Sequence, residues 1–233
     1  MGETGAGKSA FIKALGGRGV QSRQEPKVGH DVYSCTKNVT WYSANLNGEH
    51  IHVIDTPGFD DNSLSDSDIL KMLVDALAAM YRNDKHLNGL LYIHDITEVR
   101  MKGSEIKNLS LFQKLCGEQS FGNIVLVTNK WTGHDREKAK DEKRREARLR
   151  KTFWREMITR GSSVARHDGS AKSAKSIMAG LISKAPIVLH VVRQVVDENL
   201  PWNRTDAGKA INKELEKFRE KMTKDIEDMN RRL

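Results

Sequence analysis

Apolar residues fall into two kinds of run along this chain: short continuous ones, and longer ones spaced for a helical face. Residues 124–127, Ile-Val-Leu-Val, are apolar without a break and rich in β-branching, the pattern of a strand buried on both faces. Residues 90–94 form a second run of this type. Residues 39–44 and 51–55 are rich in β-branched and aromatic side chains and predict two more strands, with the hairpin signal Asn47-Gly48 between them. A weaker strand is expected at 163–167.

Helical spacing fills the intervals. Residues 10–15 follow a glycine-rich loop and stop at Gly16, Gly17 and Gly19. Ile69, Leu70, Leu73, Leu77 and Met80 form a stripe behind a cap at Asp66 or Ser67. Further helices are expected over 109–116, along the charged stretch 137–159, and over about 173–184. Strands alternating with helices predict a doubly wound α/β sheet. Pro186 marks a change, because 187–196 and 207–233 are both amphipathic and place Ile211, Leu215, Phe218, Met222, Ile226 and Met229 on one face. The expected organisation is a domain over 1–183 and a helical extension over 184–233. That last stripe either docks on the parent domain or pairs with a partner helix.

Composition narrows the class. At 233 residues and 38% hydrophobic, the chain has material for one substantial core. No apolar run approaches the roughly 20 residues that span a bilayer, so a soluble, cytoplasmic protein without a transmembrane segment is expected. Cys35 and Cys116 are too few and too far apart for a disulfide framework or a zinc site. The net charge of +8 raises the question of nucleic acid. Much of the excess lies in 136–151, where Glu137, Asp141, Glu142 and Glu146 are interleaved with basic residues. That mixture reads as the solvated face of a helix with i,i+4 ion pairs, and argues against a nucleic-acid surface.

The first residues carry the chemistry. Gly2-Glu3-Thr4-Gly5-Ala6-Gly7-Lys8-Ser9, followed by Ala10, matches the phosphate-binding loop pattern in full. Its glycines let successive backbone N–H groups turn toward phosphates, Lys8 brings a mobile positive charge to the outer phosphates, and the Ser9 hydroxyl suits Mg²⁺. Downstream, the strand at 51–55 ends in Asp55, a carboxylate able to hold Mg²⁺, and is followed by Thr56-Pro57-Gly58. The Gly58 N–H is placed to sense a γ-phosphate. Between the two, Thr36 in Ser34-Cys35-Thr36 is positioned in sequence to close over the metal. The candidate metal ligands are therefore Ser9, Thr36 and Asp55, with Lys8 and Thr36 as candidate catalytic groups.

These motifs, with Ile54–Asp61 and Tyr92-Ile93-His94 followed by Arg100, resemble those of the fungal G-domain proteins, P-loop GTPases related to the septin, immunity-associated and chloroplast-import-receptor GTPases. The resemblance covers nearly the whole chain. It implies a Ras-like G domain, GTP or GDP as ligand, Mg²⁺ as cofactor, and a possible homodimer across the nucleotide face. In such proteins Asn-Lys-x-Asp reads the base, which points to Asn129 and Lys130. A Ser-Ala-Lys loop contacts the guanine carbonyl, and both Ser170-Ala171-Lys172 and Ser173-Ala174-Lys175 imitate it. The second lies closer to the expected helix, so Ser173 and Ala174 are the preferred candidates.

Three departures bear on function. Met1 directly precedes the loop, where the family has the central strand of its sheet, so the first strand is expected to be missing. Thr132 stands in place of the base-reading Asp, leaving Asp135 or the Trp131 ring as substitutes, although Trp131 equally suits a core position. Phe59 follows Gly58, where Ras-like proteins carry the Gln that orients water. The expected function is a slow, Mg²⁺-dependent GTPase acting as a conformational switch. The alternative is a nucleotide-dependent, self-associating scaffold with little turnover. His94 reads as a structural residue.

Overall fold

The computed structural model describes residues 1–26, 38–59, 64–133, 135–213, 216 and 221–223. Thr36, Asp60, Asp61, Leu215, Phe218, Ile226 and Met229 lie outside the described residues.

The loop at the N-terminus leads into α1 (Lys8–Ala14). After the short β1 (Arg18–Gly19) come β2 (Thr40–Leu46) and β3 (Glu49–Asp55), an antiparallel hairpin in which Leu46 faces Glu49. Its two-residue turn is Asn47 and Gly48, at φ 54° and 94°. Two successive positive φ values are what the sequence pair provides, and their backbone twist matches that of the flanking strands. β1 pairs with β2, completing a three-stranded antiparallel sheet.

α2 (Asp66–Arg82) starts where Ser65 accepts a hydrogen bond from the Asp68 N–H, one residue ahead of the expected cap. The chain then alternates β4 (Leu90–Asp95), α3 (Gly103–Cys116), β5 (Ile124–Asn129), α4 (Arg136–Arg148), α5 (Arg155–Thr159), β6 (Ser163–Arg166) and α6 (Ala171–Ile182). β4, β5 and β6 form a parallel sheet with β5 in the middle, and every residue of β5 is buried. Alternate side chains divide between two cores. Leu90, Tyr92, Ile124 and Leu126 join the stripes of α2 and α3, while Ile93, Val125 and Val127 pack with α1 and α6. Helices thus cover both faces, the doubly wound α/β architecture.

The charged helix expected over 137–159 is not continuous. It widens at Leu149–Phe153, where the Trp154 N–H reaches back to the Leu149 carbonyl at 2.8 Å. The extra residue in that turn brings Leu149, Trp154 and Met157 together into the core. The same helix corrects a second expectation: Glu142 and Glu146 are 1% and 4% exposed, not solvated.

C-terminal to Pro186, Ile187 bridges to Leu87, α7 (His190–Val196) packs on α2 and α3, and residues 206–213 are helical. Leu189, Val191, Val192, Ala207 and Ile211 belong to the same core as α2 and α3. Among the described residues no helix is long and apolar enough to cross a membrane.

Between β3 and β4 the two sheets are not joined. A cavity of about 130 Å³ lies there, lined by Val53, Phe11, Leu91, Ile93 and Met178 among others. Met1 enters it and pairs with β4 in the manner of a parallel strand, its amine donating to the Leu91 carbonyl at 2.6 Å and its carbonyl accepting from the Ile93 N–H at 2.9 Å. The gap between the two sheets thus lies where Met1 runs beside β4. Gly2 then turns at φ 134°, where a Cβ would stand 2.2 Å from the Ile93 carbonyl oxygen, so only glycine allows the loop to leave β4 so closely.

Candidate functional site

The loop, the end of β3 and the end of β5 meet at one edge of the molecule. Gly5 and Gly7 hold φ of 83° and 97°, and Gly7 caps α1. The Lys8 ammonium donates to the Gly2 and Glu3 carbonyls at 3.0 and 2.6 Å, so the cation is held across the loop that precedes it. The Ser9 hydroxyl donates to Asp55 Oδ2 at 2.7 Å. Asp55 is 2% exposed at the end of an apolar strand. Two candidate metal ligands from distant parts of the chain are thereby brought into contact.

Gly58 closes the site from the other side. A Cβ on it would fall 2.5 Å from the Thr4 nitrogen and 2.6 Å from Thr4 Oγ1. The backbone after β3 therefore rests directly against the loop. Thr4 Oγ1 and Thr56 Oγ1 are buried without a hydrogen-bond partner among the described residues. Unpartnered buried hydroxyls are costly unless a ligand satisfies them. A hydroxyl and a carboxylate in contact are hard oxygen donors of the kind that hold Mg²⁺. The residues present therefore fit a metal-bound phosphate group.

Phe59 is 2% exposed within the α2/α3 core, and its carbonyl accepts from Asn108 Nδ2 on α3 at 3.3 Å. The side chain after Gly58 thus anchors the segment in the core. Ala10 follows Ser9 within α1.

At the end of β5, Asn129 donates to the Ala6 carbonyl at 3.1 Å and ties the loop to the parallel sheet. Lys130, at φ 63°, pairs with Asp95 at 2.6 Å. Burial acts to raise the Asp95 carboxyl, but hydrogen bonds from Lys130 and Thr97 outweigh it and hold the group below the usual carboxylate range. Trp131 donates to Thr128 through its indole N–H, and the Arg166 guanidinium lies over the ring, 4.4 Å from its centroid. One ring face is therefore already covered. Arg166 is itself gripped by Glu146 through two guanidinium nitrogens, and Glu146 also accepts from the Thr128 hydroxyl.

Thr132 donates from its N–H to both carboxylate oxygens of Glu142, at 3.1 and 3.2 Å, and from its hydroxyl at 2.5 Å. Asp135 is committed elsewhere: its carboxylate caps α4 by accepting from the Glu137 and Lys138 N–H groups. Sequence reasoning missed Glu142, Glu146 and Arg166. Their signal was a pair of acids four apart within a basic run, which has the same pattern as a solvated face.

Ser173 and Ala174 sit in the first turn of α6, not ahead of it. Ser170 is the cap, accepting from the Ser173 N–H, and the Ala174 N–H bonds to the Ser170 carbonyl. Both backbone donors are thus used by the helix, and the loop-to-helix junction falls at Ser170-Ala171-Lys172. The Ser173 hydroxyl meets His167 Nδ1 at 3.1 Å, and His167 packs edge-on against Phe11 of α1. His94 is buried edge-on against Trp154, and Arg100 is exposed.

Comparison with known proteins gives consistent findings. A family model described as 50S ribosome-binding GTPase matches residues 1–132. GTP-binding protein A of Dictyostelium discoideum is 29% identical over 129 residues, 54% of this chain and 26% of that protein. The chain thus spans about a quarter of that relative's length. Among solved structures, Toc33 from Arabidopsis thaliana in complex with Mg²⁺ and GMPPNP has a TM-score of 0.58 at 17% identity, covering 81% of this chain and 85% of that one. A structure of the chloroplast translocon components atToc33 and psToc159, whose dimerization is described as important for GTPase activity, has a TM-score of 0.60 at 13% identity over 78% and 79% of the two chains. At such identities the likeness shows the fold.

Proposed function

The chain belongs to the 50S ribosome-binding GTPase family, and from that premise we propose that it binds GTP and GDP with Mg²⁺, hydrolyses GTP slowly and switches conformation with the nucleotide. The observation that carries this reading is the contact between Ser9 and Asp55 beside the glycine loop.

In this reading the backbone N–H groups of Gly5, Ala6, Gly7, Lys8 and Ser9 cradle the phosphates, with Gly2, Glu3, Thr4 and Ala10 completing the wall. Lys8 neutralises the outer phosphates from the position its bonds to Gly2 and Glu3 already give it. Ser9 and Asp55 would hold Mg²⁺, with Thr36 proposed from the sequence as a third ligand. When bound, Mg²⁺ supplies charge neutralisation at the β- and γ-phosphate oxygens. Gly58 offers its N–H to the γ-phosphate, and because Phe59 is rooted in the core, that contact can pull on α2 and α3 through Asn108. Asn129 and Lys130 brace the base side. The nearer kinship with fungal G-domain proteins, septins and immunity-associated GTPases is part of this proposal, supported by the runs at 2–9 and 54–59 and by Tyr92-Ile93-His94.

Phe59 supports a second reading. With no hydrogen-bonding side chain on Phe59, the position after Gly58 supplies no group to orient water. In the switch reading a second copy apposed across the nucleotide face then accelerates hydrolysis, with exposed Arg100 as the candidate group that reaches over. Otherwise the protein holds nucleotide as a self-associating scaffold. Turnover per molecule, measured against protein concentration for wild type and Arg100→Ala, separates the two. The switch reading expects a rate on the order of 10⁻⁴ s⁻¹ when dilute that rises with concentration in wild type and much less in the variant. A rate that stays flat to high concentration supports the scaffold.

A further inference from the structure

Thr132 occupies the place where a carboxylate would accept from guanine, yet the structure supplies a carboxylate one step behind it. Glu142 lies on α4, two turns from the Asp135 cap that fixes that helix. It is 1% exposed, and the hydrogen bonds that reach its oxygens among the described residues come from Thr132. Trp131, the other sequence candidate for base contact, has a face covered by Arg166, and Asp135 is spent on capping. Thr132 itself remains half-buried, at the end of the segment that Asn129 ties to the phosphate loop.

A hydroxyl has one proton and can either donate or accept toward a ligand. With that proton directed to Glu142 at 2.5 Å, Thr132 Oγ1 presents only lone pairs outward. The Watson–Crick edge of guanine offers N–H donors at N1 and N2, which such an oxygen can accept. Adenine offers no donor on that side: its N1 is an acceptor, which meets the same lone pairs unfavourably, and its N6 amino donor stands where guanine carries the O6 acceptor. Resting on the GTP reading above, we propose that Glu142 is a positioning residue for base selectivity: it locks the Thr132 hydroxyl as an acceptor and so selects guanine over adenine nucleotides through a single oxygen. The carboxyl oxygen that takes the hydroxyl proton also strengthens its acceptor character, because hydrogen bonds in a chain polarise one another.

One oxygen discriminates less than the paired acceptor of an aspartate. The expected preference for GTP over ATP is therefore moderate, below about a thousandfold.

The test is calorimetric titration of the 233-residue chain with GTP and with ATP, each with Mg²⁺, in wild type, Glu142→Gln, Thr132→Ala and the double variant. Glutamine keeps the shape but can donate its amide N–H to Thr132 and free the hydroxyl proton for adenine. The GTP-to-ATP affinity ratio is expected to fall about tenfold in Glu142→Gln, consistent with the loss of one hydrogen bond's discrimination. Thr132→Ala, which removes the hydroxyl at a half-buried site, reads the same contact should Glu142→Gln fail to fold, and should lower the ratio similarly. The double variant should fall no further than Thr132→Ala alone. A purely structural Glu142 would weaken both nucleotides by the same factor and leave the ratio intact, which overturns the proposal. A wild-type protein that binds neither triphosphate removes the GTP reading and this inference together. Binding with an unchanged ratio removes the inference alone.

Discussion

The side-chain amide of Asn129 lies 2.2 Å from the position that a Cβ on Gly7 would take. Because the same amide holds the Ala6 carbonyl, the phosphate loop and the end of β5 are fitted to one another through the absence of a side chain at position 7. Gly7 also holds φ 97°, outside the range that alanine adopts without strain. Gly7→Ala should therefore displace Asn129, lower stability by about 1–3 kcal/mol, and weaken nucleotide binding by more than tenfold. Thermal melting and calorimetric titration read the two effects. A variant that melts and binds like wild type would mean that the loop is not held by this contact.

Phe59 gives a second prediction. As a buried anchor it should be intolerant of truncation, with Phe59→Ala costing about 3–5 kcal/mol. Phe59→Gln, which restores the residue type that orients water in Ras-like proteins, should destabilise and leave hydrolysis no faster, because the position faces the core. Urea unfolding with a single-turnover assay decides this. Faster hydrolysis at unchanged stability would place the side chain in the site instead.

Stability should rise with pH up to about 6.5. Burial lowers His94 against the opposing Glu105, Asp95 and Glu98, and lowers His167 against Asp168. Each imidazole binds its proton less readily folded than unfolded. The unfolded state therefore takes up protons as pH falls, and stability is lost from about 6.5 downward. His94→Gln with His167→Asn should flatten that part of the melting-temperature profile. A profile that falls as pH rises through this window would contradict the burial of these groups.

Several features were legible in the sequence because each rests on local rules. Asn47-Gly48 announces the hairpin, the continuous apolar run of β5 its burial on both faces, and the stripe from Ile69 to Leu77 the core face of α2. The glycine loop ahead of α1 and the place of Asp55 at the end of β3 were legible for a related reason: both follow from short, local runs of residues. What escaped depends on contacts between distant residues. The widened turn before Trp154 follows from the core's demand for that indole, and no local pattern encodes it. Glu142 and Glu146 looked solvated because periodicity reports which face a residue is on, not whether a Thr or Arg from another element will meet it. The assignment of Ser170 as the α6 cap over Ser173 turned on one turn of helix, within the usual uncertainty of helix ends.

The central claim is that Lys8, with Ser9 and Asp55, forms a Mg²⁺-dependent GTP site. Calorimetric titration of GTP in the presence of Mg²⁺, for wild type and Lys8→Ala, tests it most directly. The account predicts saturable binding by wild type, weakened when Mg²⁺ is chelated, and no measurable binding by Lys8→Ala with its fold retained by circular dichroism. Lys8→Ala binding GTP as tightly as wild type would contradict it.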